Sequence, residues 1–273
     1  MIEQILTSTK NPLIKQVRKL QRSKERHKQN LLLLEGNKLI TTAVELKYPL
    51  KTIFCTSKWQ QTHQKLWQKI ALQPHKIQLV SPEVLSAIAT TVNPDGIVAI
   101  AHRQTAQIPV ISQTKLGIAV ERLQDPGNLG TIIRTAVATG ADSLWLSDDS
   151  VDFDHPKLLR ASVGEWFRLP ITTTNDLLAT VKAHQQQGIQ IIATLPQESK
   201  TYWELDLTVP SLLLIGNEGA GLSAELAALA DQKVSIPVQN QVESLNAAIA
   251  ATLILYEAQR QAFQLNKSQN NVM

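Results

Sequence analysis

The chain has 273 residues, enough for about two domains; at 43% hydrophobic and 18% charged it is ordinary globular material, which excludes a wholly disordered chain. Net charge is +4, but residues 1–110 carry 16 Lys and Arg against 6 Asp and Glu, whereas residues 111–273 carry 11 against 17. Apolar runs such as those at 31–34 and 212–215 fall far short of the roughly 20 residues of a membrane span, and the single cysteine, Cys55, excludes an intrachain disulfide. Glu3, Lys10 and Lys15 interrupt the place where a secretory signal needs its apolar core, so a cytoplasmic protein is expected. Six scattered histidines show no zinc-type spacing, and no metal is expected.

Asn11-Pro12 reads as a helix cap followed by Pro at the first helical position. Leu13, Val17 and Leu20 then form an apolar stripe opposite Lys10, Lys15, Arg18, Lys19, Arg22, Lys24, Arg26 and Lys28, which face only Glu3 and Glu25. Such a basic run suits contact with phosphates, and it equally suits a plain solvated face. Strands are expected at 31–34, 52–55, 77–80 and 97–101, with helices from Gly36-Asn37 to about 46, and at 59–71 and 82–89. This alternation implies a mainly parallel α/β layer for residues 1–105. Residues 106–114 form the expected linker, within an aperiodic stretch RQTAQIPVISQT.

A second α/β series occupies residues 115–266. Strands are expected at 116–122, 143–146, 169–172, 189–193, 211–215 and 233–236. Helices are expected at 129–139, 156–161, 175–187, 223–230 and 244–263, before a polar, flexible tail at 267–273. In an open parallel sheet, ligands sit beyond the carboxyl ends of the strands. Three loops at such ends stand out: LQDPGNLGTIIR (123–134), IGNEGAGL (215–222) and IPVQNQVESLN (236–246). None carries the Gly-Lys-Ser/Thr of a P-loop or the glycine spacing of a dinucleotide fingerprint. Taken singly, the glycines could only shape turns, and Ser244 could only cap the last helix.

Together with RASVGEWFRLP (160–170), these loops make the sequence resemble the SpoU/TrmH family of RNA ribose 2′-O-methyltransferases, part of the SPOUT superfamily. STKNPLIKQVRKL and LLLLEGNKLI resemble that family's substrate-binding domain, so the likeness spans nearly the whole chain. The resemblance implies a C-terminal SPOUT domain with a deep trefoil knot, its parallel sheet flanked by helices, and a small N-terminal α/β, ribosomal-protein-like RNA-binding domain. It implies an S-adenosylmethionine pocket involving Leu195, Gly216, Asn217, Gly219, Ile236, Pro237 and Leu245. Asn128, Arg134, Glu218, Ser244 and Asn246 match the polar active-site positions. Structured RNA, ribosomal or transfer, is the implied substrate, and a homodimer is implied whose two subunits build the site. The family usually has glycine where this chain has Asn240, and often valine at Ala247; Asn accepts the left-handed backbone that such a turn needs.

The implied reaction moves a methyl group from a sulfonium to a ribose 2′-hydroxyl, so the protein must align the oxygen and deal with its proton. A protonated guanidinium offers no acceptor, which favours Arg134 as a fork for phosphate and developing negative charge over Arg134 as a base, although both roles stay open here. The alternative expectation is a catalytically inactive RNA-binding homologue acting in RNA or ribosome assembly. A third is a nucleotide-binding regulatory protein.

Overall fold

The structure is a computed structural model and describes residues 5–73, 75–103 and 109–270. It forms two compact units: residues 1–105 with 152–167, and residues 106–151 with 168–273. Residues 104–108 of the expected linker lie outside the described residues; a single 3-10 turn, Ile111–Gln113, occupies its far end.

In the first unit, α1 (Pro12–Lys19) starts as its sequence dictates, with the Asn11 side chain accepting from the Leu13 N–H at 2.9 Å and Pro12 in the first turn. Ile14, Val17 and Leu20 are buried while Lys15, Arg18 and Lys19 are exposed, so the apolar stripe centres on Ile14 and leaves Leu13 at its margin. The basic run then forms a separate helix, α2 (Ser23–Gln29), which ends where Asn30 turns left-handed at φ 51°. Arg26 leaves the solvent face altogether. It is fully buried, its Nε 2.8 Å from Asp154 Oδ1 and its Nη2 2.8 Å from Asp152 Oδ2, while Arg103 Nε lies 2.6 Å from Asp154 Oδ2. Burial works to raise the Asp152 carboxyl, but hydrogen bonds from Ser23, Asp154 and His27, with the Arg26 charge, hold it well below the ordinary range. His27, Asp152 and Asp154 also bring ligand-type atoms within 4.8 Å of one another, yet the Arg26 guanidinium already engages both carboxylates.

The four strands β1 (Leu31–Glu35), β2 (Leu50–Cys55), β3 (Lys76–Leu79) and β4 (Ile97–His102) form a sheet in the order β1-β4-β2-β3. It is mixed, which corrects the mainly parallel layer expected from the alternation of strands and helices. Only β2 and β3 are parallel; β4 runs antiparallel to both β1 and β2. The reason lies in its entry point: the first residues of β4 pair with the last residues of β1 and β2, Val98 opposite Glu35 and Ile97 opposite Cys55. Helix α3 (Asn37–Glu45) follows β1. The expected helix at 59–71 divides at His63 into α4 (Ser57–Thr62) and α5 (Gln64–Ala71), and α6 (Pro82–Ile88) precedes β4. Helix α8 (Pro156–Ala161) belongs to this unit, where Arg160 Nη1 lies 3.0 Å from Glu35 Oε2.

The second unit holds the expected parallel sheet, with β5 (Leu116–Val120), β6 (Ser143–Ser147), β7 (Ile171–Thr174), β8 (Gln190–Thr194), β9 (Ser211–Ile215) and β10 (Gln232–Val234) in the order β10-β8-β9-β5-β6-β7. Every pairing is parallel, and β6 and β9 are buried along their whole length, as strands covered on both faces must be. The flanking helices are α7 (Pro126–Thr139), α9 (Leu177–Gln186), α10 (Ala224–Ala228) and α11 (Ala247–Asn270). Helix α7 begins three residues before the expected start, because Asp125-Pro126 repeats the cap-then-proline signal of Asn11-Pro12: the Asp125 side chain accepts from the Gly127 N–H at 2.9 Å. Helix α11 begins after Asn246, whose Oδ1 accepts from the N–H groups of Ala248 and Ile249, so Asn246 and not Ser244 is the cap. It continues to Asn270, past the expected end at 263 and into the expected tail. No helix among the described residues is long and apolar enough to cross a membrane.

Candidate active site

Strand order changes direction at β5 and β9: β6 and β7 extend the sheet to one side, β8 and β10 to the other. A crevice beyond the carboxyl ends of two such strands is where an open α/β sheet receives ligands. The 121–128 and 216–222 loops leave the sheet there, and the loop after β10 joins them. A cavity of about 290 Å³ opens between the ends of β8, β9 and β10. Leu195, Leu222, Ile236 and Leu245 give it apolar walls; Gly216, Asn217, Glu218, Gly219 and Ser244 supply its polar side. Small-molecule pockets have this mixture of apolar wall and a few fixed polar groups.

Beside the cavity, three side chains form one hydrogen-bonded line. Asn246 Nδ2 donates to Asn128 Oδ1 at 2.9 Å, and Asn128 Nδ2 donates to Glu218 Oε1 at 3.1 Å. The same carboxylate accepts the backbone N–H groups of Gln124 at 3.1 Å and Asp125 at 2.9 Å. Thus each of the three strand-end loops contributes one member. Partial burial would raise the Glu218 carboxyl, but the N–H groups of Asp125, Gln124 and Glu218 itself, with the Asn128 amide, outweigh it and hold the group below its ordinary range. Glu218 is therefore an ionised acceptor at neutral pH, already committed to holding the first loop and orienting Asn128.

The 216–222 loop is shaped by its own backbone. Asn217 and Gly221 exchange N–H···O bonds of 3.0 Å in both directions. The Asn217 side chain accepts from the N–H groups of Gly219 and Ala220 at 2.9 Å each and donates to the Arg122 carbonyl at 2.7 Å, which ties the loop to the end of β5. Asn217 therefore acts on the cavity through the turn that it closes. In the third loop, Asn240 adopts φ 55°, the left-handed conformation that its position requires, and Gln241 follows at φ 59°.

Among the residues expected at the site, Leu195, Gly216, Asn217, Glu218, Gly219, Ser244, Ile236 and Leu245 line the cavity, and Asn128 and Asn246 join through the hydrogen-bonded line. Pro237 lies between the lining residues Ile236 and Val238 but is not itself among them. Arg134 stands apart. Six residues after Asn128 on α7, it lies about 120° around the helix axis at 100° per residue. Its side chain is exposed and makes no hydrogen bond or ion pair among the described residues. Reasoning from sequence missed Glu121, whose Oε2 accepts the Ser223 N–H at 2.7 Å and fixes the start of α10. Its signal was a carboxylate at the end of a buried apolar strand.

Comparison with known proteins matches residues 115–256 to the model of the SpoU rRNA methylase family and residues 11–99 to that of the MRM3-like substrate binding domain. An uncharacterised tRNA/rRNA methyltransferase of Synechocystis is 44% identical over 94% of this chain and 93% of its own. The 23S rRNA (guanosine(2553)-2′-O)-methyltransferase RlmP of Bacillus subtilis is 32% identical over 92% of this chain and 97% of its own. Among solved structures, the SpoU methyltransferase AviRb of Streptomyces viridochromogenes, in complex with S-adenosylmethionine, superposes with a TM-score of 0.83 at 31% identity, covering 93% of this chain and 99% of that one.

Proposed function

This chain belongs to the SpoU rRNA methylase family, and we propose that it transfers a methyl group from S-adenosylmethionine to a ribose 2′-hydroxyl of ribosomal RNA in the cytoplasm. The second unit is the catalytic SPOUT domain, with the 216–222 and 235–246 loops as the knotted stretches of its chain. The first unit, residues 1–105 with 152–167, binds RNA, with the exposed basic side of α1 facing phosphates. The observation that carries this reading is the Asn246–Asn128–Glu218 line running alongside a cavity built by loops of the same sheet edge. Mapping 2′-O-methyl sites in total RNA from cells with and without the protein tests it. One ribosomal RNA position should lose its methyl group with the gene; an unchanged map, or loss only from transfer RNA, contradicts it.

The cavity suits the donor. Its apolar wall of Leu195, Leu222, Ile236 and Leu245 fits an adenine ring, and Gly216 leaves room where a side chain would fill the turn. S-adenosylmethionine, when bound, supplies an electrophilic methyl group. Everything else falls to this chain. Asn128 and Asn246, locked by Glu218, present amide groups to the ribose, which converts loose encounter into alignment. Glu218 is a weak base because four hydrogen bonds favour its ionised form. Arg134 brings a guanidinium fork that grips the neighbouring phosphate and stabilises the charge developing on the 2′-oxygen. The line is open to solvent, and water takes the proton.

A second subunit supplies what one chain leaves apart. Ile249, Tyr256 and Phe263 are 51%, 50% and 62% exposed on α11 and recur every seven residues, an apolar stripe of coiled-coil spacing. Helix α11 packs against α7 through Thr135–Thr252 and Gln259–Ala138 hydrogen bonds, so the stripe lies on the helix pair that carries Arg134. A homodimer buries this stripe and brings Arg134 of each subunit to the site. Tyr256→Asp should convert the dimer to a monomer in light scattering and lower methyl transfer at least tenfold; a dimeric, active variant would remove α11 from the interface.

A further inference from the structure

Arg122 lies two residues beyond β5, at the strand end where the candidate site is built, and its φ of 52° puts a long side chain in the left-handed region. Side chains bulkier than Asn adopt that conformation only when their surroundings impose it. Here they do. The Arg122 N–H donates to Ser147 Oγ at 2.8 Å, and its carbonyl accepts from Gln124 Nε2 at 3.0 Å and Asn217 Nδ2 at 2.7 Å. The next residues are fixed as firmly: the Leu123 N–H donates to Ser150 Oγ, and those of Gln124 and Asp125 donate to Glu218. The backbone that aims Arg122 is thus the backbone that holds the Glu218–Asn128 pair.

Its guanidinium is under-used. Nε is buried without a hydrogen-bond partner among the described residues. Nη2 has one distant contact, 3.5 Å from Glu121 Oε2, and that oxygen already accepts the Ser223 N–H at 2.7 Å. The side chain remains 40% exposed. A planar, part-exposed guanidinium, carried by the backbone that also holds Glu218 and Asn217, offers a pair of Nη donors that matches the paired oxygens of a phosphodiester. We propose that Arg122 binds the phosphate next to the nucleotide being methylated and sets the register of the RNA at the site. This role rests on the methyl-transfer reading above. It is a positioning role: unlike Arg134, Arg122 takes no part in stabilising charge on the 2′-oxygen.

Arg122→Gly and Arg122→Asn test it, because both residues accept the left-handed backbone and neither carries the fork. For both variants, KM for the RNA should rise roughly tenfold, as loss of one charge-assisted contact implies. The log–log salt slope of RNA binding should fall by about 0.7–0.9, the value of one phosphate contact. Affinity for S-adenosylmethionine should not change, and Tm should hold or rise as strain is relieved. Arg122→Lys should keep the slope and recover only part of KM. An unchanged slope and KM in a folded Arg122→Gly protein would overturn the proposal, as would losses confined to Tm and S-adenosylmethionine affinity. The slope requires no methyl transfer, so an inactive wild-type protein would defeat the reaction reading while the slope still decides the role of Arg122.

Discussion

Gly216→Ala is expected to weaken S-adenosylmethionine binding by at least about a hundredfold, equivalent to roughly 3 kcal/mol, and to take methyl transfer down with it. The cause is steric and local. A Cβ at 216 would overlap the carbonyl carbon of Gly221 and the nitrogen of Leu222, and would lie 2.5 Å from the Gly221 oxygen. All three are backbone atoms, so no side-chain rotation relieves the clash. Only opening the reciprocal Asn217–Gly221 pair would, and that pair shapes the polar side of the cavity. Gly219→Ala is the matched control: its Cβ would meet only Asn217 Oδ1, at 3.7 Å, and binding should stay within a fewfold of wild type. Isothermal titration with S-adenosylmethionine measures both. Equal affinities for the two variants would show that the turn does not hold the donor.

Arg134→Ala is expected to lower kcat by a factor of about 10²–10³ or more, the range seen when a group that stabilises developing charge is removed. Tm and S-adenosylmethionine affinity should stay at wild-type values, because the exposed Arg134 side chain holds nothing together. Arg134→Lys keeps the charge but loses the paired donors, and its rate should fall between the two. Single-turnover kinetics at saturating RNA separate this effect from binding. A folded Arg134→Ala dimer with full activity would take Arg134 out of the reaction. Asn128→Ala should differ in kind: it breaks both ends of the Asn246–Asn128–Glu218 line and disturbs two loops as well as the rate.

Much of the second unit was legible because its signals are local or periodic. Its buried strands read as apolar runs, and β9 falls where the run at 211–215 placed it. Once those strands are parallel, the loops at their carboxyl ends are the place for chemistry, and the residues chosen there largely do line one cavity. What escaped depends on contacts distant in sequence. The order of the first sheet could not be read from helix–strand alternation, because β4 enters between β1 and β2 from their far ends. Arg26 looked like one cation among eight until Asp152 and Asp154, more than a hundred residues away, buried it. The start of α7 was different: Asp125-Pro126 carried the same cap signal as Asn11-Pro12, but the glycines behind it read as a loop. Helical phase alone sets Asn128 and Arg134, six residues apart on α7, about 120° from one another.

Binding of the donor to the cavity is the claim on which the rest depends, and a crystal structure of the chain with S-adenosylmethionine tests it most directly. The donor should lie between Leu195, Gly216, Ile236 and Leu245, with its transferable methyl group turned toward Asn128 and Asn246. A donor bound anywhere else, or a cavity left empty at saturating concentration, would contradict it.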